Sequence, residues 1–363
     1  MRLSRNILAA AAVLLASASA TWAGEVRLFS WSDYFGAKTI EKFTSDSGNK
    51  VTYDVFDSND LAETKLLAGK SGYDVVTPNL SPHFARQLKA GLWGKLDTSK
   101  LKNFGNADPA ILAQLAKVDP GNAHGVPWMW GTTGIIFNAD KIKAIMPDAP
   151  LDSWRMLFDE AVVSKFEKCG VAMLDDGEQV LGSALIYLGK SINTATAADL
   201  DQAVALVEKV RPHIRKFHTS EYITGLASGE FCLVLGFSGD AHVAALRSAE
   251  GAKRFKIEYR LPREGALVYI DVLAVPADAP DPAEALAFID YLMRPDVALA
   301  AATDTGFATT NAAAIKLVDP DIRNDPNLYP SADAIAKLIL PRVRSLEELR
   351  QWQDGWKKAK GAN

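Results

Sequence analysis

The chain has few of the residues from which catalytic and metal centres are usually built. Of 363 residues, 2 are Cys and 5 are His. His83, His124, His213, His218 and His242 do not form a metal-spaced set. No glycine-rich phosphate loop is present. Gly236-Phe237-Ser238-Gly239-Asp240 approaches a nucleophile elbow, but Asp240 stands where that motif needs glycine. Asp319-Pro320-Asp321 lacks the glycine and glutamate of a calcium loop and reads as a solvated turn. No cofactor and no metal are expected. A Lys/Arg cluster is also lacking, which argues against nucleic acid as a partner. Beyond the first residues, no apolar run is long enough to cross a bilayer.

The composition that remains is that of a soluble globular protein, 48% hydrophobic and 23% charged, long enough for two domains. Arg2 and Arg5 precede an apolar run from Ile7 to Ala18 and then small residues. This reads as a secretory signal peptide over 1–23, cleaved after Ala23 or after Ala20. Its removal takes away two positive charges and no negative ones, so the formal charge moves from −4 to −6. In an oxidising compartment the even cysteine count suggests one disulfide, Cys169–Cys232. The alternative is two buried thiols.

The mature N-terminal region alternates strand and helix patterns. Val26–Phe29, Val51–Phe56 and Tyr73–Val76 read as strands. Ala37–Asp46 reads as a helix stopped by Gly48. Asn59 is expected to cap a helix carrying Leu61, Leu66 and Leu67, and another helix carries Phe84 and Leu88. This order predicts a parallel sheet covered by helices. A helix starting at Asp108-Pro109 leads to an extended run, Val126–Phe137, read as a first crossing between lobes. A second α/β region follows, with strands near 171–174, 231–237 and 255–261 and helices near 179–188, 197–210, 221–227 and 241–249. Leu267–Val275 is placed back in the first lobe. Helices from Pro282 and Pro295 come next, and the amphipathic tail Leu346–Lys358 is expected on the second lobe. The expected division is 24–131 plus 265–304 for lobe 1, and 132–264 plus 305–363 for lobe 2. Two crossings imply a hinge and a cleft.

Open α/β sheets bind ligands where strand ends feed helices. Phe29-Ser30-Trp31-Ser32-Asp33-Tyr34 is such a place, and Phe237-Ser238-Gly239-Asp240 is another. Asp271 follows Tyr269-Ile270 inside an otherwise apolar strand, where a lone carboxylate is costly without a partner or a cation. The alternatives are an internally hydrogen-bonded aspartate for Asp271, a helix N-cap for Asp240, and plain core packing for the aromatics. Carboxylates accept charge-assisted hydrogen bonds from ammonium groups, and aromatic faces attract cations. Asp33, Asp240 and Asp271, interleaved with Trp31, Tyr34, Phe237 and Tyr269, suit amines joined by methylenes.

At these residues the chain resembles the periplasmic polyamine-binding proteins of bacterial ABC transporters, nearest to the putrescine-binding members. The resemblance covers essentially the whole mature chain. It is carried by Trp31-Ser32-Asp33-Tyr34, Tyr53-Asp54-Val55-Phe56-Asp57-Ser58-Asn59 and Pro127-Trp128-Met129-Trp130-Gly131-Thr132-Thr133-Gly134. Further matches are Tyr187-Leu188-Gly189-Lys190, Gly239-Asp240, Arg294-Pro295-Asp296-Val297 and both cysteines. It implies an α/β chain with a type II periplasmic-binding-protein fold, two lobes that close on the ligand, and docking on an inner-membrane permease. It also implies that Trp31, Ser32, Asp33, Tyr34, Ser81, Tyr269, Asp240 and Asp271 line the site, and that Cys169 pairs with Cys232.

The chain departs from the family pattern at four positions. Phe237 replaces a tryptophan, Thr219 a serine, and Phe307 an aromatic hydroxyl. A pocket glutamate falls at Gln179, with Glu178 beside it. The mechanism expected is that Asp240 and Asp271 hold one ammonium end while Trp31 and Phe237 sandwich the stem. Tyr269 closes a side, and Asp33 with the hydroxyls holds the far end, partly through water. The ligand would be a polyamine, with putrescine first and agmatine, cadaverine or spermidine as alternatives. The rival functions are a sensory binding protein and an exported amine-processing hydrolase. A monomeric, non-enzymatic periplasmic protein is expected.

Overall fold

The computed structural model describes residues 24–361 except 331 and 336; the leader expected over 1–23 lies outside the described residues. Its strands are β1 (Glu25–Trp31), β2 (Lys50–Phe56), β3 (Val75–Val76), β4 (Gly125–Asn138), β5 (Val171–Met173), β6 (Lys216–Phe217), β7 (Leu233–Phe237), β8 (Ile257–Arg260), β9 (Ala266–Ala274), β10 (Ala308–Thr309) and β11 (Leu338–Ile339). Their order is β2-β1-β3-β9-β4-β7-β5-β6, with β8 and β10 also on β4 and β11 on β9.

The first lobe is built on β1, which pairs in parallel with β2 and β3. The second is built on β5, parallel to both β6 and β7. Two long strands belong to both. β4 is buried along nearly its whole length, as its almost unbroken apolar and Thr sequence requires. Its first half pairs with β9, and Thr133–Phe137 pair with β7. β9 runs back the other way. Leu267 packs in the core of Ile135, Trp154 and Leu233, whereas Leu273 packs with Val26, Phe35 and Phe288. These antiparallel strands are the crossings, and the cleft lies beside them.

Several sequence expectations are corrected. The first sheet is not wholly parallel, because β9 enters antiparallel between β3 and β4. Tyr73 precedes a strand of only two residues. Helix Asn59–Leu67 is capped by Ser58, whose side chain accepts from the Leu61 N–H; Asn59 instead accepts from the Asn79 N–H at 3.2 Å. Only Leu66 of its three leucines is buried, since Leu61 and Leu67 are 56% and 57% exposed. The helix expected from Ala241 begins at Ser238, which places Asp240 inside its first turn. Pro320–Arg323 forms a helical turn. Asp108 does cap helix Pro109–Leu115.

The C-terminal segment visits both lobes. Phe307 joins the first-lobe core, and β10 pairs with β4 at Met129 and Trp130. Helix Leu346–Lys360 starts with a capping box, Ser345 with Glu348, and buries Trp356 and Ala359 against the second-lobe core.

Cys169 and Cys232 are disulfide-bonded, with Cα atoms 5.6 Å apart. They precede β5 and β7, so the bridge ties two adjacent parallel strands. In the chain-entropy account a loop of this length contributes about 4 kcal/mol. The double variant Cys169→Ser/Cys232→Ser is expected to lose about 2–4 kcal/mol of unfolding free energy in a urea titration. An unchanged midpoint would show that the strand pairing needs no covalent support.

Candidate functional site

Four chain segments converge on a narrow cleft with a cavity volume of about 60 Å³. β1 ends at Trp31, and the turn after it delivers Ser32 and Tyr34. β7 ends at Phe237, and the helix Ser238–Glu250 that follows carries Asp240. β9 supplies Tyr269 and Asp271, and Phe307 enters just after helix Pro295–Thr305. Two glycines let these walls approach. A Cβ on Gly131 would overlap the Tyr269 hydroxyl, and one on Gly239 would overlap the Phe307 ring.

Asp240 and Asp271 are 8% and 4% exposed. Each accepts a hydrogen bond from one buried tyrosine. The Tyr34 hydroxyl donates to Asp271 Oδ2 at 2.7 Å, and the Tyr222 hydroxyl donates to Asp240 Oδ2. Asp240 is not an N-cap, because the cap position is Phe237 and no side chain caps it. Burial pushes both carboxyls up to about 7, against the tyrosine hydrogen bonds that hold them down. Neither has a cationic hydrogen-bonding partner among the described residues, so each can gain by meeting a cation.

The walls of the same cleft are aromatic. Phe237 meets Tyr269 edge-on at 5.1 Å, and Tyr34 meets Phe307 edge-on at 4.9 Å. Trp31 is held edge-on against Phe56 at 4.6 Å, and its carbonyl accepts from the Tyr53 hydroxyl. These contacts fix ring faces toward the cavity without blocking it.

Most of the expected site residues come together here: Ser81, Glu178, Gln179 and Thr219 also line the cleft. Ser81 donates to the Pro341 carbonyl. The Gln179 amide oxygen is spent on the Thr133 hydroxyl at 2.6 Å. Glu178, beside it, keeps a carboxylate in the wall and pairs with Arg344 at 3.1 Å. A carboxylate therefore stands in the wall one residue before Gln179. Asp33 is the exception. It adopts a left-handed backbone with φ 58°, does not line the cavity, and pairs at the rim with Arg247 at 2.7 Å. The sequence showed an aspartate between two lining residues, not which way the turn would aim it.

Other lining residues carry weight that was not anticipated. Asp57, Asp176 and His83 line the cleft, and Tyr222 stands behind Asp240. Asp57 also bridges the lobes by accepting from the Ser220 hydroxyl at 2.8 Å. Asp176 had a signal in the sequence, since it caps helix Gly177–Tyr187. Among the described lining residues, five carboxylates (Asp57, Asp176, Glu178, Asp240 and Asp271) face one imidazole, His83. The electrostatics select a cation. At the edge of the cleft, Asp60, Glu63 and His83 cluster as a metal site would, but Arg86 already makes two hydrogen bonds to Glu63, at 2.7 and 2.6 Å. A guanidinium thus holds the place of a metal ion there.

Comparison with known proteins agrees with this geometry. The family described as bacterial extracellular solute-binding protein matches residues 38–330. The chain is 44% identical over 333 residues to the putrescine-binding periplasmic protein SpuD of Pseudomonas aeruginosa, covering 90% of each chain. It is 41% identical over 355 residues to the putrescine-binding periplasmic protein PotF of Escherichia coli, covering 96% of each. Among solved structures, a Listeria monocytogenes chain described as a spermidine/putrescine ABC transporter superposes with a TM-score of 0.82 at 28% identity, covering 93% of this chain and 99% of that one. The spermidine/putrescine substrate-binding protein PotD of Streptococcus pneumoniae superposes with a TM-score of 0.74 at 25% identity and the same coverage. The two-lobed α/β architecture, the cleft between the lobes and these matches together place the chain in the family of bacterial extracellular solute-binding proteins, not among enzymes.

Proposed function

We propose that the chain captures a polyamine, with putrescine as the preferred ligand, and delivers it to an ABC permease in the inner membrane. The observation that carries this reading is the pair of buried carboxylates, Asp240 and Asp271, each with a single tyrosine donor, in a cleft with aromatic walls. A protonated amine supplies the charge they lack, and a methylene stem fits the aromatic slot. In this reading Asp240 and Asp271 hold one ammonium, and Trp31, Phe237, Tyr269 and Phe307 enclose the stem. Ser32, Ser81, Thr219 and Glu178 face the far end. Asp33 acts through the lobe contact with Arg247 and not on the ligand. Binding favours closure because the contacts come from both lobes.

The polyamine-binding relatives are periplasmic by name. With the leader pattern at 1–23 this supports export and cleavage, and one complete trap in one chain supports a monomer. Among the described residues no helix is long and apolar enough to cross a membrane. For the lobes we keep 24–131 plus 265–304 and 132–264 plus 305–363, amended so that 305–314 go with lobe 1, where Phe307, β10 and Ala314 pack.

Calorimetric titration of ligand-stripped protein with putrescine tests the reading. One-to-one binding is expected, and Asp271→Ala should weaken it by roughly a hundredfold or more, as for a buried charged contact. Asp33→Ala should cost at most about 1 kcal/mol, the scale of an exposed ion pair. Equal losses from the two variants would place Asp33 on the ligand after all. No heat and no thermal stabilisation with any polyamine would end the polyamine reading.

The raised carboxyls give a second test. Between their ordinary value of 3.8 and about 7, the folded ligand-free chain binds more protons at Asp240 and Asp271 than the unfolded chain does. Their contribution to stability is therefore full below the unfolded value and is lost as pH rises through about 7. Thermal melts of the ligand-free protein should fall between pH 5 and 8 through these groups, and Asp271→Asn should flatten that fall. An ammonium binds the ionised forms, so putrescine affinity should rise over the same range, with proton release near pH 6.5. Calorimetry in two buffers of different ionisation heat measures that release.

A further inference from the structure

Beyond the cleft lies a second, larger cavity of about 600 Å³. The two share Asp57, Asp176, Glu178 and His83, so these residues stand where a ligand longer than a diamine would leave the first and enter the second. Asp240 and Asp271 line only the inner cavity. Glu178 is the junction carboxylate that already has a cation. Its Oε2 lies 3.1 Å from Arg344 Nη1, while its Oε1 and Arg344 Nη2 are buried without a hydrogen-bond partner. The contact is a single one and not a bidentate fork, so both groups keep unused capacity at the passage between the cavities.

Arg344 is held firmly in place. Its guanidinium lies 3.8 Å from the Trp352 ring centre, and its side chain is 3% exposed. The strap that delivers it, Pro341 to Arg344, is pinned on both sides. Pro341 accepts from Ser81, and Arg342 is bound to Asn193 through its backbone N–H and its Nε, at 2.8 Å each. This fixed cation stands next to the carboxylate at the passage between the two cavities.

Resting on the polyamine reading above, we infer that the Glu178–Arg344 pair sets the number of amines the site accepts. Arg344 neutralises Glu178 at the junction, so the site takes a diamine and discriminates against a triamine. A diamine finishes before or at Glu178 and meets a neutral pair. A triamine must bring its additional ammonium against the guanidinium or displace it. Removing the guanidinium leaves the carboxylate to the ligand, a gain that only the longer amine can use fully.

The test is a titration of the full mature protein, Arg344→Met, and Arg344→Met/Glu178→Gln with putrescine and with spermidine, each variant first checked by thermal melt. Arg344→Met should shift the spermidine-to-putrescine affinity ratio toward spermidine by roughly tenfold or more, and adding Glu178→Gln should cancel that shift. Should Arg344→Met not fold, Arg344→Gln is read in its place, since it removes the charge and keeps an amide donor. An unshifted ratio, or a shift that survives Glu178→Gln, overturns the inference. Failure of the unsubstituted protein to bind putrescine is a different result and overturns the polyamine reading itself.

Discussion

Two aspartates kept out of water, each with one tyrosine hydroxyl, are the constraint that the cleft is arranged around. A buried carboxylate without a cation is unfavourable in its charged form, and Asp240 and Asp271 are accordingly raised to about 7. One hydrogen bond each, from Tyr222 and from Tyr34, keeps them in position without satisfying them. In the proposed reading a cationic ligand completes them, so the burial that makes these carboxylates costly is also what favours binding.

That arrangement requires two lobes joined by little. β4 and β9 run antiparallel beside the cleft; β4 pairs with strands of both lobes, and β9 packs into both cores. Because Tyr269 and Asp271 sit on β9 itself, part of the cleft lining is built into a crossing strand. The lobes also meet through polar pairs at the rim, Asp33 with Arg247 and Asp57 with Ser220. Exposed pairs of this kind contribute little each. They can bias closure without locking it, which a protein that must release its ligand needs.

The aromatic residues have two tasks that the structure separates. Phe35, Phe43, Trp154 and Phe288 fill cores. Trp31, Phe237, Tyr269 and Phe307 expose a face or an edge to the cleft while their other contacts hold them still. The C-terminal strap sets a cation, Arg344, against Glu178 where the two cavities meet.

Much of this was legible in the sequence. The helix and strand periods gave the α/β class, and an aspartate inside the apolar strand Ala266–Ala274 marked a site because burial makes such a residue costly. The paired cysteines and the caps at Asp108 and Gly48 were also readable, since each depends on local chemistry. Tertiary structure alone decided the rest. The antiparallel entry of β9, the outward aim of Asp33, and the division of labour between Glu178 and Gln179 depend on partners far away in the chain: β3, Arg247, Arg344 and Thr133. Local sequence sets what a side chain can do. Which charge, ring or strand it meets is set by packing between segments from tens to about two hundred residues apart, and a one-dimensional pattern does not carry that information.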